Sequence, residues 1–326
     1  MQTKNSRQKG AALITVMLVI ALVSVIAVNL GSKLQMQITR MGNLQQAEQS
    51  YWMWLSAEDV LKEALKRELN ENDGVANNQQ SWASRTGPFP VEGGQIAARV
   101  RDLSSCFNLN SMVTDEEDPG TLERRKRQYK VLLQSVELDE YQAQGLTDSL
   151  VDWIDGDTQL SGSNGAEDPD YQGLPKPYLA ANSLLLDVSE LRMIRGYSRE
   201  VVRKLRPYVC VIPNETALMI NVNTLKEEQA ALLTAVTEGK MSLQDAQSFL
   251  SNRPEAGYES NEEVDEVEAI ANVKSELNGE LSELDVESEY FQLTAYIQWG
   301  DVEMKARSVL HVNNGEVATL YRAMGE

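Results

Sequence analysis

The residues best suited to chemistry lie together in DWIDGDTQLSGSNGAEDPDYQGLPKPY, residues 152–178. Asp155, Asp157 and Gln159 are spaced D-x-D-x-Q, and Glu167, Asp168 and Asp170 follow after a Gly/Ser/Asn turn. Oxygen ligands at alternate positions of a flexible loop suit calcium, which takes 6–8 oxygens. The pattern is not an EF-hand, because the 12-residue loop with its sixth-position Gly and terminal Glu is absent. Left unneutralised, these carboxylates would repel one another, so a calcium-stabilised loop is expected. The alternative is a solvated acidic loop. Paired carboxylates also cleave glycosides, but nothing else in the chain points to a sugar cleft.

Other chemistry is narrowly bounded. There is one histidine, His311, which rules out a His-rich metal site and leaves little room for histidine acid–base catalysis. There are two cysteines, Cys106 and Cys210. In an exported body they would form a disulfide; otherwise they are two buried thiols. The segment DVSELRMIRGYSREVVRKLRPYV reads as helix, Gly196 turn, helix, and is locally basic. Such a helix-hairpin-helix can grip nucleic-acid phosphates. Here a structural or protein-contact role is expected, because the chain around it is acidic.

Charge divides the chain in two. The net charge is −19, yet the first acid is Glu48, so everything before it is basic or neutral. A strongly acidic body is a poor polyanion binder, since phosphate contacts need Lys and Arg, and no nucleic-acid partner is expected. Lys4, Arg7 and Lys9 precede an uncharged run that lasts until Lys33. About 20 apolar residues span a bilayer, whereas a secretory h-region holds about 7–15. The run is therefore a membrane-spanning helix, and the basic flank favours a cytoplasmic N-terminus with the body outside.

The elements that must position the loop follow from periodicity. Apolar positions from Leu44 through Tyr51, Trp54, Val60, Leu61 and Leu65 to Leu69 make a helical stripe. A single helix over residues 11–69 would be roughly 85 Å long. Asn70–Gly87 reads as a polar loop. GGQIAARVRDL, YFQLTAYIQWG, VEMKARSVLHV and VATLYR alternate with period two, and Asn314-Gly315 is a strong hairpin signal. The C-terminus is thus an antiparallel meander, with His311 on its polar face. Between the first strand and the meander lies a helical, acidic insertion. It carries a faint internal echo, CFNLNSM at 106–112 and LMINVNTL at 218–225. Residues 255–289, with 13 acids and one base, read as a mobile or solvated segment.

The basic leader ending in Gly10, the uncharged run beginning at Ala11, the continuing amphipathic helix and the antiparallel sheet together resemble the type IV pilin and pseudopilin superfamily. The resemblance implies cleavage by a prepilin peptidase after Gly10, leaving Ala11 first in the mature chain. Phe is usual at that position and Glu at the fifth, where this chain has Thr15. The family's Glu is thought to neutralise the terminal amine of an adjacent subunit. A subunit with no neighbour ahead of it has no use for a costly intramembrane carboxylate, so Thr15 marks a tip position. DWIDGD, NGAEDPDY, VSELRMIRGYS and INVNT further resemble the K-type minor pseudopilins of the type II secretion system, over essentially the whole chain.

That resemblance implies an α+β, type IV pilin-like fold with a large, mostly α-helical insertion. Its parts would be a leader over 1–10, a membrane and polymerisation helix over 11–32, and the first part of the head over 33–109. The insertion would cover 110–285 and the meander 286–326. It implies a non-enzymatic, single-pass inner-membrane protein with a periplasmic body. The protein would cap the pseudopilus with I- and J-type minor pseudopilins, above a filament of major pseudopilin. The family's bound calcium carries over by residue type to Asp155, Asp157, Glu167, Asp168 and Asp170. Contact with secreted substrate or with the secretin is left open. The competing readings are a minor pilin of a DNA-uptake or adhesive pilus and a membrane-anchored metalloenzyme.

Overall fold

The computed structural model describes residues 6–84, 86–113, 119–279 and 281–325; residues 1–5, Lys4 among them, lie outside it. No proline interrupts the chain before Pro88, and α1 (Ser6–Glu71) runs unbroken for 66 residues, about 99 Å at 1.5 Å per residue. Its apolar N-terminal part is exposed all round, as a helix facing lipid would be. The second half turns one face inward: Ser50, Trp54, Glu58, Leu61, Leu65 and Leu69 are buried. Leu44 and Val60, expected in the stripe, are instead exposed. The stripe runs through Glu58 because that carboxylate finds partners inside.

After α1 come β1 (Thr86–Val91) and β2 (Gly94–Asp102). The expected loop over Asn70–Gly87 is pinned by Trp82, which packs edge-on against Phe291 with ring centroids 5.0 Å apart. Its Nε1 donates to Gln80 Oε1 at 2.6 Å. A lone Trp among polar residues was an anchor rather than part of a solvated loop. β1 carries Pro88 and Pro90, which suits an edge strand, where missing N–H donors cost no ladder bonds.

The chain then enters the insertion. Its first half holds β3 (Phe107–Asn108), α2 (Pro119–Ser135), α3 (Glu140–Ile154), α4 (Asp168–Gln172), α5 (Arg199–Leu205) and β4 (Val209–Cys210). The second holds β5 (Ile220–Asn221), α6 (Ala231–Val236), α7 (Leu243–Asn252), α8 (Asn261–Glu266), α9 (Glu268–Glu276) and β6 (Leu284–Asp285). The meander β7 (Tyr290–Trp299), β8 (Val302–Asn313) and β9 (Glu316–Met324) completes an antiparallel sheet of order β1-β2-β7-β8-β9. Asn314 and Gly315 both have positive φ, 49° and 75°, as a type I′ hairpin requires. The insertion leaves the sheet at Asp102 and returns beside it, since Asp102 pairs with Phe291. It therefore spans residues 103–289, slightly wider than the 110–285 read from sequence.

One face of the sheet packs on α1. Phe291, Leu293, Ala295, Ile297, Ala306 and Leu310 bury against Trp54, Leu61, Leu65 and Leu69. Glu58 sits inside this contact, bonded to Lys62 and Ser308, to Thr319, and to Arg322 through two nitrogens at 2.7 and 2.9 Å. His311, expected on the polar face, is half-buried and stacked on Tyr290 with centroids 4.5 Å apart. His311 keeps the expected face, since Ala306, Leu310 and Val312 turn to α1 between it and its odd-numbered neighbours; the ring of its cross-strand partner Tyr290 is what covers it.

The insertion has its own, larger core. The two echo segments fold alike. Each begins as a two-residue parallel bridge, β3 with β4 and β5 with β6. In each, the first Asn accepts from the backbone N–H of the second, Asn108 from Asn110 and Asn221 from Asn223. The second Asn then clamps one distant residue with two bonds. Asn110 holds the N–H and C=O of Leu185 at 2.8 and 3.0 Å, and Asn223 holds those of Tyr258 at 2.8 and 2.9 Å. Residues 255–289 are not a solvated tail: Val264, Ile270, Val273, Leu281 and Val286 join the core. Buried Glu283 is ion-paired with Arg124 and Arg125. The acid count hid a helical apolar period.

Candidate metal centre

The acidic loop is built from α3. Asp139 caps that helix in a reciprocal capping box with Gln142. Asp148, Asp152 and Asp155 then fall at i, i+4 and i+7, on one helix face. Asp152 is fully buried and accepts from Ser161 N at 2.7 Å and Ala166 N at 2.8 Å, so it ties both sides of the loop to the helix. Gly165 permits this close approach; a Cβ there would overlap Asp152 Oδ2. Asp157 Oδ1 accepts from Gln159 N at 2.6 Å, an Asx-turn, while Asn182 donates to the Asp157 carbonyl at 3.1 Å.

This scaffold gathers carboxylates from both ends of the loop. Asp155, Asp157 and Glu167 each bring one carboxylate oxygen within 4.8 Å of the other two. Calcium–oxygen distances are about 2.3–2.6 Å, so three oxygens at this spacing can share one ion. Glu167 is 3 % exposed. Both its carboxylate oxygens, Asp155 Oδ1 and Asn182 Oδ1 are buried without a hydrogen-bond partner among the described residues. Buried polar atoms are ordinarily satisfied, so the three orphaned carboxylate oxygens of Asp155 and Glu167 in this cluster fit a hard cation. Burial, then Asp152 and Asp155, push Glu167 up to about 7. Burial, then Asp157 and Asp152, push Asp155 up to about 6. The charged forms lack compensation, and a divalent ion would supply it.

Asp168 and Asp170 are not brought into this cluster. Asp168 Oδ1 accepts from Ala180 N at 3.0 Å. Asp170 accepts from Glu167 N at 3.2 Å and pairs with Arg195 at 2.9 Å. They position Glu167 and its loop rather than point at its oxygens. The loop sequence alone could not separate the two groups, because all five acids have the same type and similar spacing. Asp152 and Asn182 were missed. Asp152 carried a signal in its helical spacing from Asp155; Asn182, distant in sequence, carried none.

The helix-hairpin-helix flanks this site. A 3₁₀ turn over Val188–Met193, Gly196 at φ 86° and α5 make the hairpin. Leu191, Ile194 and Leu205 enter the core. Arg195 donates to the Gly165 carbonyl at 3.3 Å as well as to Asp170, and Lys204 pairs with Glu137. Two of its cations are thus turned to the chain's own oxygens.

Cys106 and Cys210 are disulfide-bonded with Cα atoms 5.7 Å apart. They pack with Leu103, Ile212 and Val309 where the insertion meets the sheet. At the far N-terminus Gly10 and Ala11 lie within α1, and Thr15 Oγ1 donates to the Ala12 carbonyl at 2.9 Å. The Thr15 hydroxyl is satisfied inside its own helix, as the absence of water in a bilayer demands.

Comparison with known proteins follows the same division of the chain. Family models described as type II secretion system (T2SS), protein K, match residues 105–214 and 220–287, so each stretch takes in one Asn-x-Asn segment. Type II secretion system protein K of Aeromonas hydrophila is 38 % identical over 93 % of this chain and 92 % of its own length. The protein of the same name from Pectobacterium carotovorum is 32 % identical over 98 % of each chain. A chain in the crystal structure of the GspK-GspI-GspJ complex from enterotoxigenic Escherichia coli superposes with a TM-score of 0.76 at 31 % identity, covering 88 % of this chain and 99 % of that one. Fold, anchor and relatives agree: the chain belongs to the type II secretion system protein K family and is a minor pseudopilin of that system.

Proposed function

We propose that this minor pseudopilin caps the tip of the pseudopilus and helps to initiate it, together with I- and J-type minor pseudopilins. The observation that carries the reading is the insertion over residues 103–289 between the paired strands β2 and β7. Filament subunits repeat through side-by-side helices, and a head this bulky has no room to repeat. At the end of a filament it meets no such limit. Thr15 supports the same place, since a subunit with none ahead of it needs no carboxylate at that depth. The solved relative comes from a complex of K, I and J proteins, and partners of those two types are proposed here by that likeness.

Around this role the rest falls into order. Prepilin peptidase cuts after Gly10, the N-terminus faces the cytoplasm, and the head lies in the periplasm, where the disulfide persists. The apolar helix from Ala11 to Leu30 packs against major pseudopilin through van der Waals contact. Calcium, held by Asp155, Asp157 and Glu167, stabilises the insertion, and the chain acts by assembly rather than by catalysis. No observation favours the DNA-uptake reading.

Co-expression with I- and J-type partners and with prepilin peptidase tests this. We expect a mature chain beginning at Ala11, by intact mass, and a stoichiometric three-protein complex by size exclusion. Processing without complex formation would leave a pilin-like protein with no tip role. An uncut chain would remove the pilin logic itself.

A further inference from the structure

The face of the sheet turned away from α1 carries a charge pattern opposite to that of the molecule. Arg99 on β2, Thr294 on β7 and Arg307 on β8 lie side by side in register. Arg101, Lys305 and Arg206, the last from beyond α5, complete a cleft of about 330 Å³ between this face and the insertion. Among the residues lining it, only Asp187 is acidic, and it is ion-paired with Arg307 at 2.5 Å. Arg99, Arg206 and Lys305 have no carboxylate within 4 Å among the described residues. Arg101 is enclosed, donates to the Pro207 carbonyl at 3.3 Å, and is held below its ordinary value by burial. In a chain of net charge −19, cations gathered on one face repel each other without local compensation.

The same face continues into an open groove of about 630 Å³, in which Pro88, Ala97, Tyr296 and Met324 supply apolar wall and Gln95, Gln298 and Glu303 polar wall. Tyr296 and Lys305 line both cavities, so the cationic and apolar parts form one surface. A free anion would use the first part and ignore the second. A lipid headgroup cannot reach it. Trp54 bonds Ser308 beside Arg307, and Trp54 lies 24 residues along α1 from Leu30, about 36 Å at 1.5 Å per residue. A polypeptide that mixes carboxylates with apolar side chains uses both parts. We propose that this face is a docking site for an acidic, apolar-containing segment of a partner protein, anchored on Arg99, Arg206 and Lys305. The proposal does not depend on the tip role.

The probe is a fluorescein-labelled peptide alternating Glu and Leu, with a Gln/Leu peptide as control, read by fluorescence anisotropy against the full chain in detergent. Saturable binding of the Glu/Leu peptide alone, weakening as salt rises, is expected. Arg99→Glu with Lys305→Glu should weaken it at least tenfold, and Arg99→Gln with Lys305→Gln by less. The melting temperature is checked for each pair, and Arg206→Glu gives an independent variant should the doubles fail to fold. Absence of saturable binding would overturn the proposal, as would binding that no charge variant changes. Displacement of the peptide by inorganic phosphate or by phosphatidylglycerol vesicles, at concentrations comparable to its own, would reassign the face to small anions or to membrane.

Discussion

Comparing the chain with and without added calcium, and separately changing Glu167 to Gln, gives the sharpest test of the proposed calcium site. Three carboxylate oxygens lie within 4.8 Å of one another. At an effective dielectric of about 20, each pair of full charges at that distance repels by roughly 3 kcal/mol. Full charge on all three would therefore strain the metal-free loop, and a divalent ion would relieve it. At free calcium a hundredfold above Kd, linkage gives about 2.7 kcal/mol of stabilisation. For a unit of about 150–250 residues that corresponds to a rise in Tm of about 5–11 °C. Thermal scans of the full chain in EGTA and in calcium would read it. Glu167→Gln should behave in opposite directions in the two buffers: as stable as the parent or more so in EGTA, because a repelling charge is gone, and with most of the calcium shift lost. Asp168→Asn should keep the shift, since its oxygen faces Ala180 N. Equal Tm values with and without calcium would refute the reasoning. A full calcium shift in Glu167→Gln would refute the ligand set.

Other sites make further predictions. Burial alone would raise Glu58, but Arg322, Ser308, Thr319 and Lys62 overcome it and hold the carboxyl well below the usual range. Glu58→Ala should cost about 2–4 kcal/mol, less than the largest buried-pair losses because half-exposed Arg322 can be rehydrated; near-UV circular dichroism melts would measure it. Asp102 is the converse case. Burial pushes it up to about 6 despite bonds from Thr224, Ser288 and Ser104 N. The folded state thus binds its proton more tightly than the unfolded state, whose carboxyl titrates near 3.8. Its contribution to stability therefore falls as pH rises from about 4 to 6. Asp102→Asn should remove that dependence, so parent minus variant stability should decline across this window; a flat difference would count against it. Replacing Cys106 and Cys210 by Ser opens a closure of 104 residues, worth about 4–5 kcal/mol in the chain-entropy model. The parent in reductant should melt like the double variant.

The parts legible in sequence were those with a strong period or a positional signal. The long helix, the meander and the Asn314-Gly315 turn depend on local pattern, and each formed where the pattern lay. The acidic loop stood out because carboxylates that crowd one stretch must be explained. Features set by distant contacts were not legible. Glu58 breaks the apolar stripe of α1, and only Ser308, Thr319 and Arg322, some 250 or more residues away, make it an inside residue. Glu283 likewise looked solvated until Arg124 and Arg125 met it. The face of His311 followed from the alternation, but its half-burial depends on the ring of Tyr290 across the strand pair, which the alternation does not reveal. The short echo was real structure because asparagine side chains can imitate a strand partner, bonding an N–H and a C=O at once.

A large insertion can be added to a small head only if it leaves the head's own contacts intact, and the splice point meets that condition. The chain departs at Asp102 and returns at Phe291, partners in adjacent antiparallel strands, so residues 103–289 occupy the place of a hairpin turn. Closure entropy grows only by about 0.6 kcal/mol for each doubling of a loop, which makes so long a turn tolerable. Swinging about the two strand ends is the greater hazard, since units joined this way move unless something holds them. Three directional contacts oppose it. Asp102 Oδ2 accepts from Thr224 and from Ser288. The Cys106–Cys210 disulfide packs on Val309 of β8. Arg307 of β8 pairs with Asp187 of the insertion. The disulfide and the Arg307 pair lie on the face turned away from α1, whereas Asp102 ends the α1 face beside its partner Phe291, so the insertion is fixed to the head from both sides of the sheet. Fixing it also holds Arg206, from the insertion, opposite Arg99 and Lys305 of the sheet, and that placement is what makes the outer face a cleft.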